Sequence, residues 1–244
     1  MGLRRNRNES NTMKFPAPVQ KGTLVLRYKR FLADIDLGGQ RITAHCANPG
    51  SMMGVKDEGA SVWVTKASNP KRKLSYDWQV IEVGSARVCI NTALANTIVT
   101  QAIEAGGIPE LSGYETLRRE VKYGENSRID ILLESADKPL CYVEVKNVTL
   151  SRNPPLAEFP DSPTARGTKH LRELADMAKA GHRAVMLYCV NRTDCDSFAL
   201  AADIDANYAR EFETARAAGM EAFAYACDIQ ESGITLSSAL TVEV

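Results

Sequence analysis

The sequence predicts an α/β protein that opens with a small closed β-barrel and continues as a second domain of alternating helices and strands. Three observations carry this. From Gly22 to about Asn91, five short β-type segments follow one another with turn residues between them. From Thr92 onward the pattern becomes helix, three strands, helix, strand, helix, strand. The chain has 244 residues, 44% hydrophobic and 25% charged, so it has an ordinary globular composition and the length to bury a core. The expected divisions are a flexible basic tail over 1–19, the barrel over 20–91 and the second domain over 92–244.

Taken in order, residues 1 to about 14 set Arg4, Arg5, Arg7 and Lys14 against Glu9 and show no hydrophobic period, which reads as a disordered extension. Residues 24–35 form a long, partly alternating segment, and Gly38-Gly39 turns the chain into 40–46. After the loop Asn48-Pro49-Gly50-Ser51 come strands near 60–65, 78–83 and 87–90. An oligonucleotide-binding barrel and an SH3-like barrel both fit five such strands. Residues 92–105 carry Leu94, Ile98, Ala102 and Ile103 at helical spacing and end at Gly106-Gly107. Strands follow near 116–122, 128–133 and 141–148. Ser162-Pro163 offers a cap and a first-turn proline to a helix that buries Leu171, Leu174 and Ala178 and stops before Gly181. Residues 183–190 read as a buried strand, 206–218 as a helix closed by Gly219, and 222–227 as another strand.

Chemistry concentrates in the pair of strands at 128–133 and 141–148. A loop centred on Asp137 puts Glu134 opposite Leu140 and Asp130 opposite Glu144. Strand alternation then gives Glu144 and Lys146 one face and Val143 and Val145 the other. Two carboxylates this close repel unless a cation sits between them. Asp130 and Glu144 are therefore expected to hold Mg2+ or Mn2+, with the Val145 carbonyl as a further ligand. Lys146 would orient water or neutralise developing charge, as phosphodiester hydrolysis requires. The bare string Asp…Glu-x-Lys is common, and a solvated strand face with an ion pair is its bland reading. The register, the apolar reverse face and the flanking helices favour a nuclease core. Glu120 either adds a third acidic group or lies on an exposed strand end. Arg166, Lys169, His170 and Glu173 fall at helical spacing beside the apolar stripe, with Arg166 and Lys169 suited to phosphate.

The formal net charge is zero, so nucleic-acid binding must rest on local clusters. The densest are Arg27, Lys29 and Arg30, and Lys71, Arg72 and Lys73. Tyr28 and Phe31 lie close by, Tyr76 and Trp78 are the stacking candidates, and Trp63 reads as core. Six cysteines (Cys46, Cys89, Cys141, Cys189, Cys195, Cys227) are scattered without a CxxC pair and read as reduced thiols. No apolar run is long enough to span a bilayer or placed to act as a signal peptide. A cytoplasmic location without a membrane partner is expected.

Several strings are specific enough to identify a family. They include 27–34 (Arg-Tyr-Lys-Arg-Phe-Leu-Ala-Asp), 45–52 (His-Cys-Ala-Asn-Pro-Gly-Ser-Met), 127–130 (Ser-Arg-Ile-Asp), 142–150 (Tyr-Val-Glu-Val-Lys-Asn-Val-Thr-Leu) and 166–174 (Arg-Gly-Thr-Lys-His-Leu-Arg-Glu-Leu). From about Gln20 to the C-terminus the chain resembles the sugar fermentation stimulation protein A family. The resemblance implies an OB-like five-stranded barrel joined to a PD-(D/E)XK restriction-endonuclease-like αβββαβ domain. It maps the nuclease motif onto Asp130, Glu144 and Lys146, and an Arg-Gly-x-Lys-His helix onto Arg166, Gly167, Lys169 and His170. It also implies DNA binding and a regulatory effect on sugar (maltose) utilisation. The basic N-terminal extension departs from the family pattern. Two classes of function are then expected to compete. One is a metal-dependent nuclease acting on DNA or RNA, and the other is a non-catalytic, largely non-specific DNA-binding regulator.

Overall fold

The structure is a computed structural model that describes residues 11–124 and 127–243. A closed barrel forms from β2 (Val19–Tyr28), β3 (Leu32–Leu37), β4 (Gln40–Cys46), β5 (Ser61–Lys66) and β6 (Tyr76–Val83), with β7 (Ala86–Cys89) added beside β6. Closure occurs at β6: Trp78 is register partner to Val64 of β5 on one side and to Cys46 of β4 on the other. Leu24, Ile35, Val62, Val64, Trp78 and Ile81 fill the interior. The β2–β3 hairpin turns at Lys29 and Arg30, both with positive φ (47° and 64°), the backbone that a tight two-residue turn needs to match strand twist.

The second sheet is built around β8 (Thr116–Tyr123), β9 (Ser127–Glu134) and β10 (Cys141–Val148), which run antiparallel to one another. Next to β10 lie β13 (Arg183–Val190) and β15 (Glu221–Gln230), both parallel, and then β16 (Gly233–Glu243), antiparallel to β15. Helix α1 (Ala95–Glu104) packs Ile98, Val99 and Ala102 against one face with Ile131, Val143 and Val145. Helices α2 (Ala165–Lys179) and α3 (Ala206–Ala217) cover the other with Leu171, Leu174, Tyr208 and Phe212. The apolar residues foreseen for α1 and α2 are thus buried or half-buried against these cores, and the helices and long strands from α1 to β15 follow one another as expected.

Four features differ from the expected pattern. Residues 24–35, expected as one segment, turn at Lys29 and Arg30 into β2 and β3, so the barrel closes without the expected fifth strand at 87–90, which lies in β7 beside β6. The short strands β11 (Leu150–Asn153), β12 (Leu156–Phe159) and β14 (Ser197–Leu200), together with β16, extend the sheet beyond β15. Helix α2 is capped by Thr164, whose side chain accepts from the Gly167 N–H, and not by Ser162. Residues 1–10 of the expected tail lie outside the described residues, but the tail does not reach residue 19. Thr12–Met13 forms β1, paired with Thr235 and Ile234 of β16, and Met13 is buried in the α1-side core. An apolar methionine with an unpaired strand edge beside it gains more from docking than from solvation.

Asp161 ties the barrel to the second sheet. Its Oδ2 accepts from the Met52 N–H (3.0 Å) and from the Ser51 hydroxyl (3.2 Å), and its carbonyl accepts from the same hydroxyl (2.8 Å). Gly50 admits this contact, since a Cβ there would lie 2.8 Å from the same Oδ2. Met52 is fully buried. Asp161→Ala therefore strands a buried N–H and is expected to lower stability by about 2 kcal/mol in urea titration.

Candidate active site

The β9–β10 ladder sets the site. Cys141, Tyr142 and Val143 pair with Leu133, Leu132 and Ile131, which is the expected register, and one further step in it places Asp130 opposite Glu144. There the backbone ladder ends and the Asp130 side chain takes over. Its Oδ2 accepts from the Val145 N–H (2.8 Å) and its Oδ1 from the Asn96 amide of α1 (2.7 Å). The strands β8 and β9 also exchange faces here. Leu117, Ile131 and Leu133 pack on the α1 side, whereas Val121, Tyr123 and Ile129 pack on the α2 side. The exchange passes through Glu120, which has φ of 55° and lies between Arg119↔Ile131 and Val121↔Ile129, hence across from Asp130. Glu120 itself is exposed.

Glu144 and Lys146 share the α2 side of β10. Lys146 Nζ donates to Glu144 Oε1 (2.8 Å) and lies 3.1 Å from His170 Nδ1. His170 Nδ1 also meets Glu144 Oε1, and the Arg166 Nε–H donates to His170 Nε2 (3.4 Å). The Arg166 contact suits a ring that carries its proton on Nδ1, the nitrogen that faces Glu144. Burial pushes the Glu144 carboxyl up, but Lys146 and His170 outweigh it and hold the group below its ordinary value. Asp130 goes the other way, raised by burial and then by the Glu144 charge, against the lowering bonds from Val145 and Asn96.

These residues suit a hard divalent cation. Glu144 is 2% exposed, and its Oε2 is buried without a hydrogen-bond partner among the described residues. Asp130 is held beside it at a cost in charge repulsion that an ion would remove. Among the described residues no three His, Cys, Asp or Glu side chains enclose a point by themselves. Two carboxylates with retained waters is the arrangement Mg2+ tolerates.

The raised Asp130 value has a consequence for stability. In the folded state the protonated form is favoured, so its stabilisation is full below the ordinary carboxylate pKa and is lost as pH rises through the raised folded value. Asp130→Asn is thus expected to stabilise the metal-free protein by about 1 kcal/mol near neutrality. The gain should shrink as pH falls through the Asp130 transition, as thermal melts across pH would read. Mn2+ should raise the melting temperature of the parent chain but not of the variant.

The expected nucleic-acid contacts fare unevenly. Trp78 is 0% exposed and donates its indole N–H to the Val80 carbonyl, so it is a core residue and not a stacking platform. Bulky indole at the closing seam fills volume that nothing smaller would fill. Tyr76 is half-buried against the same core. Trp63, read as core, is buried. Arg72 is held by both oxygens of Asp77, and Arg27 donates to the carbonyls of Asn48 and Gly50, so both guanidinium groups are engaged in the fold. Lys29, Arg30, Lys71 and Lys73 are exposed. Phe31, 44% exposed beside the turn at Lys29 and Arg30, is the exposed aromatic of this region, with its ring stacked towards His45. On α2, Arg166 and Lys169 are exposed, and Lys169 pairs with Glu173 (3.5 Å). Asn96 and Tyr123 escaped sequence reading. An asparagine in a helix's first turn carries no signal until the fold brings Asp130 to it.

Comparison with known proteins agrees with this architecture. Residues 25–90 match the family model for the SfsA N-terminal OB domain, and residues 93–233 match that for the sugar fermentation stimulation protein RE domain. A sugar fermentation stimulation protein homolog of Ruegeria sp. is 56% identical over 93% of this chain and 99% of its own. One from Maricaulis maris is 51% identical over 95% and 99%. The solved structure of Pyrococcus furiosus SfsA in complex with Ca2+ is similar at a TM-score of 0.86, with 26% identity over 96% of this chain and 99% of that one.

Proposed function

Because the chain belongs to the sugar fermentation stimulation protein family, we propose that it binds nucleic acid and hydrolyses phosphodiesters at a divalent-metal site built from Asp130, Glu144 and Lys146. The observation that carries the reading is the buried, unpaired Glu144 Oε2 beside an Asp130 whose carboxyl is pushed up by that same neighbour. The Ca2+ bound by the Pyrococcus furiosus relative supports a hard-cation preference, with Mg2+ or Mn2+ as the working ion here.

When bound, such an ion offsets charge on a phosphoryl oxygen and lowers the pKa of a coordinated water. The chain's own groups do the rest. Asn96 and the Val145 N–H fix the rotamer of Asp130, and His170 fixes that of Glu144. Lys146 Nζ supplies a positive charge at the carboxylate pair, where developing phosphate charge would be stabilised. Arg166, exposed above His170, suits a phosphate of the bound strand. DNA is the expected partner, with RNA the alternative, and Lys29, Arg30, Lys71 and Lys73 supply charge from the barrel.

One observation favours the competing reading, a non-catalytic DNA-binding regulator of sugar metabolism. The side chains of Lys146 and Glu144 are only 12% and 3% exposed, which is tight for a scissile phosphate. Incubation of end-labelled single-stranded, duplex and branched DNA and RNA with Mn2+ or Mg2+ separates the two. Cutting that requires the ion supports the nuclease. No cutting across the panel, with salt-sensitive binding retained, favours the regulator.

A further inference from the structure

A cleft of about 210 Å3 opens where the barrel meets the second sheet. One wall is the barrel loop 48–50. The other is the chain leaving β10, with Asn147 and Thr149, together with Phe159 of β12 and Asp161. Both walls are fixed in advance. Arg27 donates to the carbonyls of Asn48 and Gly50, Asn48 donates to the Ile90 carbonyl (3.1 Å), and Asp161 holds Ser51 and Met52. Preformed ligand pockets concentrate at domain junctions of this kind. The proposed hydrolysis leaves this one without an occupant.

The lining carries polar capacity that the fold does not use. Thr149 is 6% exposed, and its hydroxyl makes no hydrogen bond among the described residues. A buried hydroxyl left so is costly unless something in the cleft bonds it. Asn147 uses one amide atom on Asn191 (2.5 Å) and keeps the other. Asp161 Oδ1 receives only a long contact from the Ser162 hydroxyl (3.4 Å). Glu158, which also lines the cleft, is paired with Arg152, whereas no Lys or Arg lines the cleft itself. The cleft thus offers a hydroxyl, an amide and a carboxylate beside an aromatic ring. That set disfavours a phosphate and suits a planar neutral group with N–H donors on its edge, which describes a nucleobase. Its place agrees. Asn147 follows Lys146 directly in β10, and the Phe159 ring lies 5.6 Å from that of Tyr188, the register partner of Lys146.

We propose that this cleft takes one unstacked nucleobase of a strand bound at the Asp130–Glu144 centre, with bases that carry an exocyclic amine preferred over thymine and uracil. The proposal rests on the reading of that centre as a nucleic-acid site, and it adds a base-reading pocket to it. The amine donates to Asp161, as cytosine does to a carboxylate, while the Thr149 hydroxyl and the Asn147 amide serve the neighbouring ring atoms.

The test is NMR titration of the isotope-labelled full chain with deoxycytidine, thymidine and deoxyribose, alongside Thr149→Val, with thermal melts as the control for folding. Deoxycytidine should give saturable shifts centred on residues 48–50, 147–150 and 158–161. Thymidine should bind about fivefold more weakly or worse. Thr149→Val should weaken deoxycytidine about fivefold and melt no lower than the parent chain, because no hydrogen bond within the fold is lost. Equal shifts from deoxyribose alone would mean a sugar site, and shifts elsewhere or none would leave the cleft without a base, so either result overturns the proposal. Equal affinity for thymidine would overturn the role given to Asp161. A Thr149→Val chain that melts lower would give the hydroxyl a structural partner, and the pocket would fall. Nucleoside binding needs neither metal nor cleavage. Its failure therefore leaves the proposed function standing, whereas deoxycytidine bound by a chain that cuts no nucleic acid would sustain the pocket and sink the hydrolysis.

Discussion

Lys146→Ala is expected to lower Mn2+-dependent cleavage by about 10³-fold while nucleic-acid affinity changes by no more than about twofold. The separation follows from position. Lys146 is nearly buried, so it offers little to a strand lying across the surface, where Lys29, Arg30, Lys71 and Lys73 are exposed. Its ammonium instead bonds Glu144, 2.8 Å from Oε1, and lies 3.1 Å from His170 Nδ1. Without it Glu144 keeps the His170 contact and remains buried, and its carboxyl loses the main influence that offsets burial. The site then favours a protonated Glu144 more than before, which weakens cation binding as well as the reaction. Single-turnover cleavage and fluorescence anisotropy on the same oligonucleotide read the two effects separately. Equal losses in both would mean that Lys146 acts through binding. Unchanged cleavage would reduce it to an ion-pair partner of Glu144. Lys146→Arg should not rescue, because a planar fork does not fit a point between a carboxylate and an imidazole.

Much of this centre is legible from residue order. The loop centred on Asp137 fixes the β9–β10 register, and strand alternation then puts Glu144 and Lys146 on the side opposite Val143 and Val145, as observed. Helical spacing likewise puts His170 and Glu173 beside Leu171 and Leu174. What escapes is whatever depends on a local break in regularity. The faces of β8 and β9 exchange at Glu120 and Asp130, and no propensity marks a glutamate for positive φ. That exchange brings Tyr123 towards the α2 side and turns Asp130 into an acceptor for a backbone N–H. The strands β1 and β16 escape for a different reason. Thr12–Met13 is too short to show a period, and the pairing that orders it lies more than two hundred residues away. Trp78 illustrates the limit of composition: an indole near a basic loop suits stacking and core filling equally, and only the closing of β6 on β4 decides between them.

Trp78→Ala is accordingly expected to act on folding and not on recognition, with a loss of about 4 kcal/mol in urea or thermal unfolding. The indole is fully buried at the seam where β6 joins both β5 and β4, and its N–H satisfies the Val80 carbonyl. Truncation removes the apolar contact, opens a cavity between strands that have no other element to fill it, and leaves a buried carbonyl without its donor. A loss of that size lowers the folded-to-unfolded ratio about 10³-fold, which the rest of the chain can survive only because the second sheet has cores of its own. A stacking residue would behave differently: its truncation would weaken binding to single strands by about 1–3 kcal/mol at unchanged stability. Phe31→Ala provides that comparison, since Phe31 is exposed beside Lys29 and Arg30 and contributes nothing to the barrel core. If Trp78→Ala left the unfolding midpoint in place and weakened binding, the indole would have to leave the core in solution, and the barrel would close differently from the structure described.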